Sequence, residues 1–166
     1  MTDTVPPFVV IPELDQAREP TALERRVAAA QAVLDRFRDV PFDPGKSDCV
    51  QVLIALFRDL GVMPRYGKPI AYKSLLAGRA VLKRQGFASV AEWLDSFLAP
   101  ITPAMALPGD ILELEAEEGE AMRGLGAFVV YLGNAAVLGY HEIAVGGCVM
   151  RIGDGVSPLR AWRTIA

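Results

Sequence analysis

Pro41-Phe42-Asp43-Pro44-Gly45-Lys46-Ser47-Asp48-Cys49-Val50-Gln51-Val52-Leu53-Ile54-Ala55-Leu56-Phe57 is the most informative segment of the chain. It begins as a turn-rich loop over residues 41–47, where two prolines and a glycine exclude regular structure. It then becomes helical near Asp48. Ser47 or Asp48 can accept from the first free amides, and Gly61 can end the helix in the left-handed region. Val50, Leu53, Ile54 and Phe57 recur at helical spacing and mark a buried face. Cys49 therefore stands at a helix start that follows a loop. Unpaired N–H groups and the macrodipole favour an anion there, so the position predicts a thiol shifted towards its nucleophilic form. A cysteine in a helix is otherwise a small hydrophobe.

Upstream, Thr21 and Glu24 form a capping box, and Leu23, Val27, Ala30, Leu34 and Phe37 predict one apolar stripe on a first helix. Downstream, helices are expected over about Tyr72 to Gln85 and from Ser89 to Leu98. Ser89 and Glu92 form a second capping box. The period then changes. Stretches beginning at Asp110, Ala127, Ala136, Cys148 and Leu159 are short, β-branched or aromatic, and bounded by Gly, Pro or Asn, which predicts five strands. Gly133-Asn134 between two of them is a hairpin signal. Helices first and antiparallel strands later predict an α+β fold, a helical N-terminal half packed on an antiparallel sheet of about five strands.

The length of 166 residues suits one domain. With 52% hydrophobic and 22% charged residues, the chain buries enough surface to fold without disulfides or metal. Residues 1–20, with Pro6-Pro7-Phe8-Val9-Val10-Ile11-Pro12, read as an extended arm, which lies across the domain's own surface or docks on a neighbouring subunit. Residues 21–166 read as the single domain. The net charge of −3 and the lack of a basic run argue against a nucleic-acid surface. One histidine, His141, excludes a multi-histidine metal site, and neither metal nor cofactor is expected. No apolar run reaches membrane-spanning length, the first residues lack the basic start of a signal peptide, and two cysteines are too few for a secreted framework. A cytoplasmic location is the resulting expectation. The acidic run Glu113 to Glu120 reads as a solvated loop. Cys148 reads as a core strand residue, and the sequence leaves a Cys49–Cys148 disulfide undecided.

A catalytic cysteine needs a base, and His141 is the one imidazole available. A lone histidine at a strand end also serves as a plain surface or structural residue.

Taken in order, Pro41-Phe42-Asp43-Pro44-Gly45, Asp48-Cys49-Val50, Leu107-Pro108-Gly109-Asp110-Ile111 and Ala127-Phe128-Val129-Val130-Tyr131-Leu132-Gly133-Asn134 resemble the landmarks of NlpC/P60 cysteine peptidases, a branch of the papain-like fold. The resemblance spans roughly residues 30–152. Gln85-Gly86-Phe87-Ala88-Ser89 and Leu159-Arg160-Ala161-Trp162-Arg163 are similar to small NlpC/P60-like proteins encoded among phage and prophage tail genes. That resemblance implies a tail-tip or tail-assembly role, with other tail proteins as partners. The implied location is the bacterial host cytoplasm during assembly, then the virion tail.

The resemblance also assigns roles. The nucleophile falls on Cys49, but the base position is Ala127, the third polar group falls on Gly139, and the loop tyrosine and tryptophan fall on Phe42 and Pro44. Losing a general base typically forfeits about 10²–10⁴ in rate. His141 lies two residues after Gly139 and on the same face of a regular strand, displaced by about 6.6 Å. The sequence thus supports a non-catalytic structural or assembly protein. The alternative is a peptidoglycan-cleaving hydrolase with Cys49 as nucleophile and His141 as base. A third reading, a small-ligand module at the same cleft, has no residue of its own in support.

Overall fold

The computed structural model describes residues 18–62, 71–115, 125–141 and 144–166. Most of the expected N-terminal arm and the centre of the acidic run lie outside these residues. Among these residues, four α-helices precede most of the sheet: α1 (Ala22–Phe37), α2 (Cys49–Leu60), α3 (Leu75–Arg84) and α4 (Val90–Asp95). Six strands follow: β1 (Ala99–Ile101), β2 (Ile111–Leu114), β3 (Ala127–Gly133), β4 (Ala136–Gly139), β5 (Cys148–Arg151) and β6 (Pro158–Arg163). They form one antiparallel sheet in the order β1-β6-β2-β3-β4-β5. The α+β expectation holds, with one strand more than the five read from sequence. The additional strand, β1, has three residues, one of them Pro100, too few to show a period.

The caps follow the sequence. Thr21 and Glu24 close the capping box of α1 reciprocally. Asp48 rather than Ser47 caps α2, and Gly61 ends it at φ +70°. At α4, Ser89 accepts from the Glu92 amide, but the Glu92 carboxylate reaches back to Ala88 instead of Ser89. The β3–β4 hairpin turns at Asn134 and Ala135, both at positive φ (51° and 60°), as a primed turn requires.

The apolar stripe of α1 is rotated from its predicted place. Leu23 and Val27 are 52% and 49% exposed, and the buried face is Arg26, Ala29, Ala30, Val33 and Phe37. The cause is a charge that hydrophobic periodicity does not see. Arg26 is buried because its guanidinium meets the Asp110 carboxylate at 2.5 Å, both side chains being almost wholly inaccessible. The same carboxylate accepts from Arg163 Nε at 3.1 Å and from the amides of Leu107 and Thr164. Gly109 (φ +81°) lets the backbone of α1 come close: a Cβ there would lie 3.1 Å from the Arg26 carbonyl oxygen. The Pro-Gly-Asp turn is therefore the clamp that ties α1 to β2 and to the end of β6.

The main core lies between the helices and one face of the sheet, with Leu53, Leu56, Phe57, Trp93, Phe128, Val130 and Trp162 at its centre. A smaller cluster of Leu112, Leu114, Val129, Val137 and Ala161 covers the other face. Trp162 donates from Nε1 to Asp95 at 2.6 Å and joins β6 to the end of α4.

Candidate functional site

Asp48 organises the start of α2. One carboxylate oxygen accepts from the Gln51 amide at 2.9 Å and the other from the Gly45 amide at 2.7 Å. The Tyr72 hydroxyl, arriving from the segment before α3, donates across both oxygens at 2.9 and 2.8 Å. The loop is folded tightly on this tyrosine: at Gly45 (φ +82°) a Cβ would overlap the Tyr72 carbonyl oxygen. Ser47 donates to the Pro41 carbonyl at 2.6 Å and closes the loop from the other side. The carboxylate is thus a buried structural hub with three donors, spent on fixing the loop and the helix start.

Cys49 is the first residue of α2 and is 4% exposed. Burial, and then the adjacent Asp48 charge, push its thiol up to about 12. Backbone amides of Phe128, Val50 and Cys49 itself act in the opposite direction and lose. The expected helix-start activation is therefore reversed. A macrodipole contribution of about 0.3–1 kcal/mol is small beside the cost of ionising a group sealed from water next to a carboxylate. Both cysteines are free thiols, which resolves the question of a disulfide.

Ala127 opens β3 beside Phe128 and packs on the smaller cluster, on the far face of the sheet. Gly139, the third polar position by resemblance, is closed to any side chain: a Cβ there would lie 2.5 Å from Val129 Cγ1. Leu138 and Tyr140 belong to the helix side, while Val137 and Gly139 meet the opposite cluster. His141 itself lies beyond the end of β4. His141 is exposed, and its backbone N–H is directed at the Cys148 sulphur. It is not among the groups acting on the Cys49 thiol. Cys148 itself opens β5 and is only half-buried, against the expectation of a core position. Burial raises its thiol, with the His141 amide acting against it.

The residue that does reach the site from β4 is Tyr140. Its ring meets Phe42 edge-on at a centroid distance of 5.6 Å, and its hydroxyl is buried next to Ser47 without a well-formed hydrogen bond. Burial pushes this phenol up, the Ser47 hydroxyl opposing and the Asp48 and Cys49 charges adding to it. Tyr72 is raised too, by burial first and the Asp48 charge second. Neither tyrosine was legible as a site residue. Tyr72 reads as the start of a helix and Tyr140 as the end of a strand, and each is far from Cys49 in sequence. The hollow bordered by Val50, Tyr72, Gly78, Leu82, Trp93 and Leu125 holds about 10 Å³, the limit for a single water. No group of His, Cys, Asp and Glu suited to a metal ion occurs among the described residues.

Residues 21–163 match the family described as Domain of unknown function (DUF6950). A comparison with the curated proteins finds no match. Among solved structures, the chain is similar to NlpC2 from Trichomonas vaginalis, with a TM-score of 0.54, 13% identity, and coverage of 88% of this chain and 50% of that one. The chain thus spans half the length of that protein, and the likeness shows an NlpC/P60-like fold.

Proposed function

The chain belongs to the DUF6950 family, a domain of unknown function, and from that premise we propose that it is a non-catalytic NlpC/P60-like structural or assembly protein. The observation that carries this reading is the state of Cys49. Burial and the adjacent Asp48 charge keep the thiol protonated at neutral pH, and the protonated thiol is not the nucleophile. Asp48, the nearest carboxylate, is engaged as cap and loop clamp, so it is not a free base. The start of α2 then serves as a rigid, packed element of the fold.

The proposed setting is a phage or prophage tail. It rests on the resemblance of Gln85 to Ser89 and Leu159 to Arg163 to tail-encoded NlpC/P60-like proteins. The partners would be other tail-tip proteins, met in the host cytoplasm during assembly and retained in the virion tail.

Two measurements test this. Incubated with purified peptidoglycan, the wild-type chain is expected to release no more muropeptide than Cys49→Ala. In a prophage carrying Cys49→Ala, tails counted by electron microscopy are expected to assemble at wild-type yield. Muropeptide release lost in both Cys49→Ala and His141→Ala would overturn the reading in favour of the hydrolase. Normal tails in a strain deleted for the whole gene would remove the assembly role.

A further inference from the structure

Charge along the chain is segregated. Between Asp59 and Glu92 there are six Lys or Arg (65, 68, 73, 79, 83 and 84) and no acid, although the whole chain carries −3. From Asp110 to Met122 there are six acids and no cation. The cations are spaced apart, which is why no basic run is visible.

In the folded chain, part of the basic segment lines an open groove of about 670 Å³, formed by α3 and the turn that leads to α4. Arg79 and Lys83, one helical turn apart, stand on its wall with Leu76 and Phe87. Leu76 is 76% exposed, the most exposed leucine among the described residues. The ion pairs among the described residues involve none of Lys73, Arg79, Lys83 and Arg84. The groove thus combines unspent cations with an apolar contact, features that recognise an acidic chain segment bearing apolar side chains. The sequence Glu113-Leu114-Glu115-Ala116-Glu117-Glu118-Gly119-Glu120-Ala121-Met122 has that chemistry.

We infer that the groove is an interface for a second copy of this chain, whose acidic stretch 115–122 it receives. The inference does not depend on Cys49 being inert. Groove and acidic stretch are different segments of the chain, so the contact is head-to-tail. Repeated, it closes into a ring or extends as a filament. Its strength comes from screened surface charges, so it weakens with salt.

The test is the mass of the full-length chain by analytical ultracentrifugation at low and high salt. At low salt the expected mass exceeds the 17.9 kDa of one chain, and it returns to that value at high salt. Arg79→Glu with Lys83→Glu, and separately Glu117→Lys with Glu118→Lys, should each weaken association by about 100-fold. Mixed together, the two variants should associate again, because the intact groove of one meets the intact acidic stretch of the other. Arg79→Gln with Lys83→Gln is the milder control, and circular dichroism checks that each variant folds. A wild-type chain that stays monomeric at low salt would overturn the inference. So would association that both double reversals leave unchanged, or a mixture that fails to pair. A monomer captured by anionic vesicles through Arg79 and Lys83 would overturn it by naming a lipid surface as the occupant.

Discussion

At Cys49, one residue decides between two chemistries, and burial outweighs the helix terminus. The same fact sets an alkaline limit. Below pH 9 the thiol is protonated in folded and unfolded chains alike. Between its ordinary value of 9.0 and about 12 the unfolded thiol releases its proton while the folded one keeps it. The folded state then binds more protons, so stability falls as pH rises, by up to about 1.4 kcal/mol per pH unit for one such group. Tyr72, raised in the same direction, adds to the loss above pH 10. Melting temperatures from pH 7 to 11 should therefore fall less steeply in Cys49→Ala than in wild type, and equal slopes would contradict the buried thiol. Tyr72→Phe removes a donor from a buried carboxylate and should cost about 1–3 kcal/mol at neutral pH by urea denaturation. A result near zero would mean that the two backbone amides suffice for Asp48.

The elements show why some of the fold was legible and some was not. Caps and turns are local chemistry, so Thr21 with Glu24, Asp48 with Gly61, and Gly133-Asn134 mark their elements directly. Hydrophobic periodicity does not find the buried face of α1, because Arg26 is held by Asp110, a partner 84 residues away that no local pattern encodes. Cys49 was placed on the right element with the wrong electrostatics, since burial is a tertiary property. Tyr72 and Tyr140 were missed for the same reason. Two substitutions check these arguments. Ala135 sits at φ +60°, a conformation costly for any residue with a Cβ, so Ala135→Gly should stabilise the hairpin by about 0.5–1 kcal/mol. A lowered melting temperature would show that the turn rearranges. Asp110→Ala should cost about 3–5 kcal/mol because it strands the buried Arg26 guanidinium. Arg26→Met should cost less, since Asp110 keeps Arg163 and two backbone amides. If the two variants are equally unstable in urea titrations, the clamp does not work through that asymmetry.

At the scale of the whole molecule, the α+β architecture follows from the change of period midway along the chain, but the strand order does not. No periodicity announces that β6 enters the sheet between β1 and β2. Removing residues 157–166 should therefore abolish the cooperative thermal transition and yield aggregate, because it uncovers β1 and one edge of β2 together. A soluble truncated chain that melts normally would show that the sheet can close without this strand. The insertion also bears on how the molecule is made. A ribosome delivers β1 and β2 long before the strand that separates them. The nascent chain must keep their facing edges apart, neither pairing with each other nor with a neighbouring chain, until residues 158–163 emerge. Synthesis that stops before residue 158 would leave a polypeptide with its sheet open at the middle. Such a product belongs to chaperones and proteases, so the late strand decides whether the domain closes or is discarded.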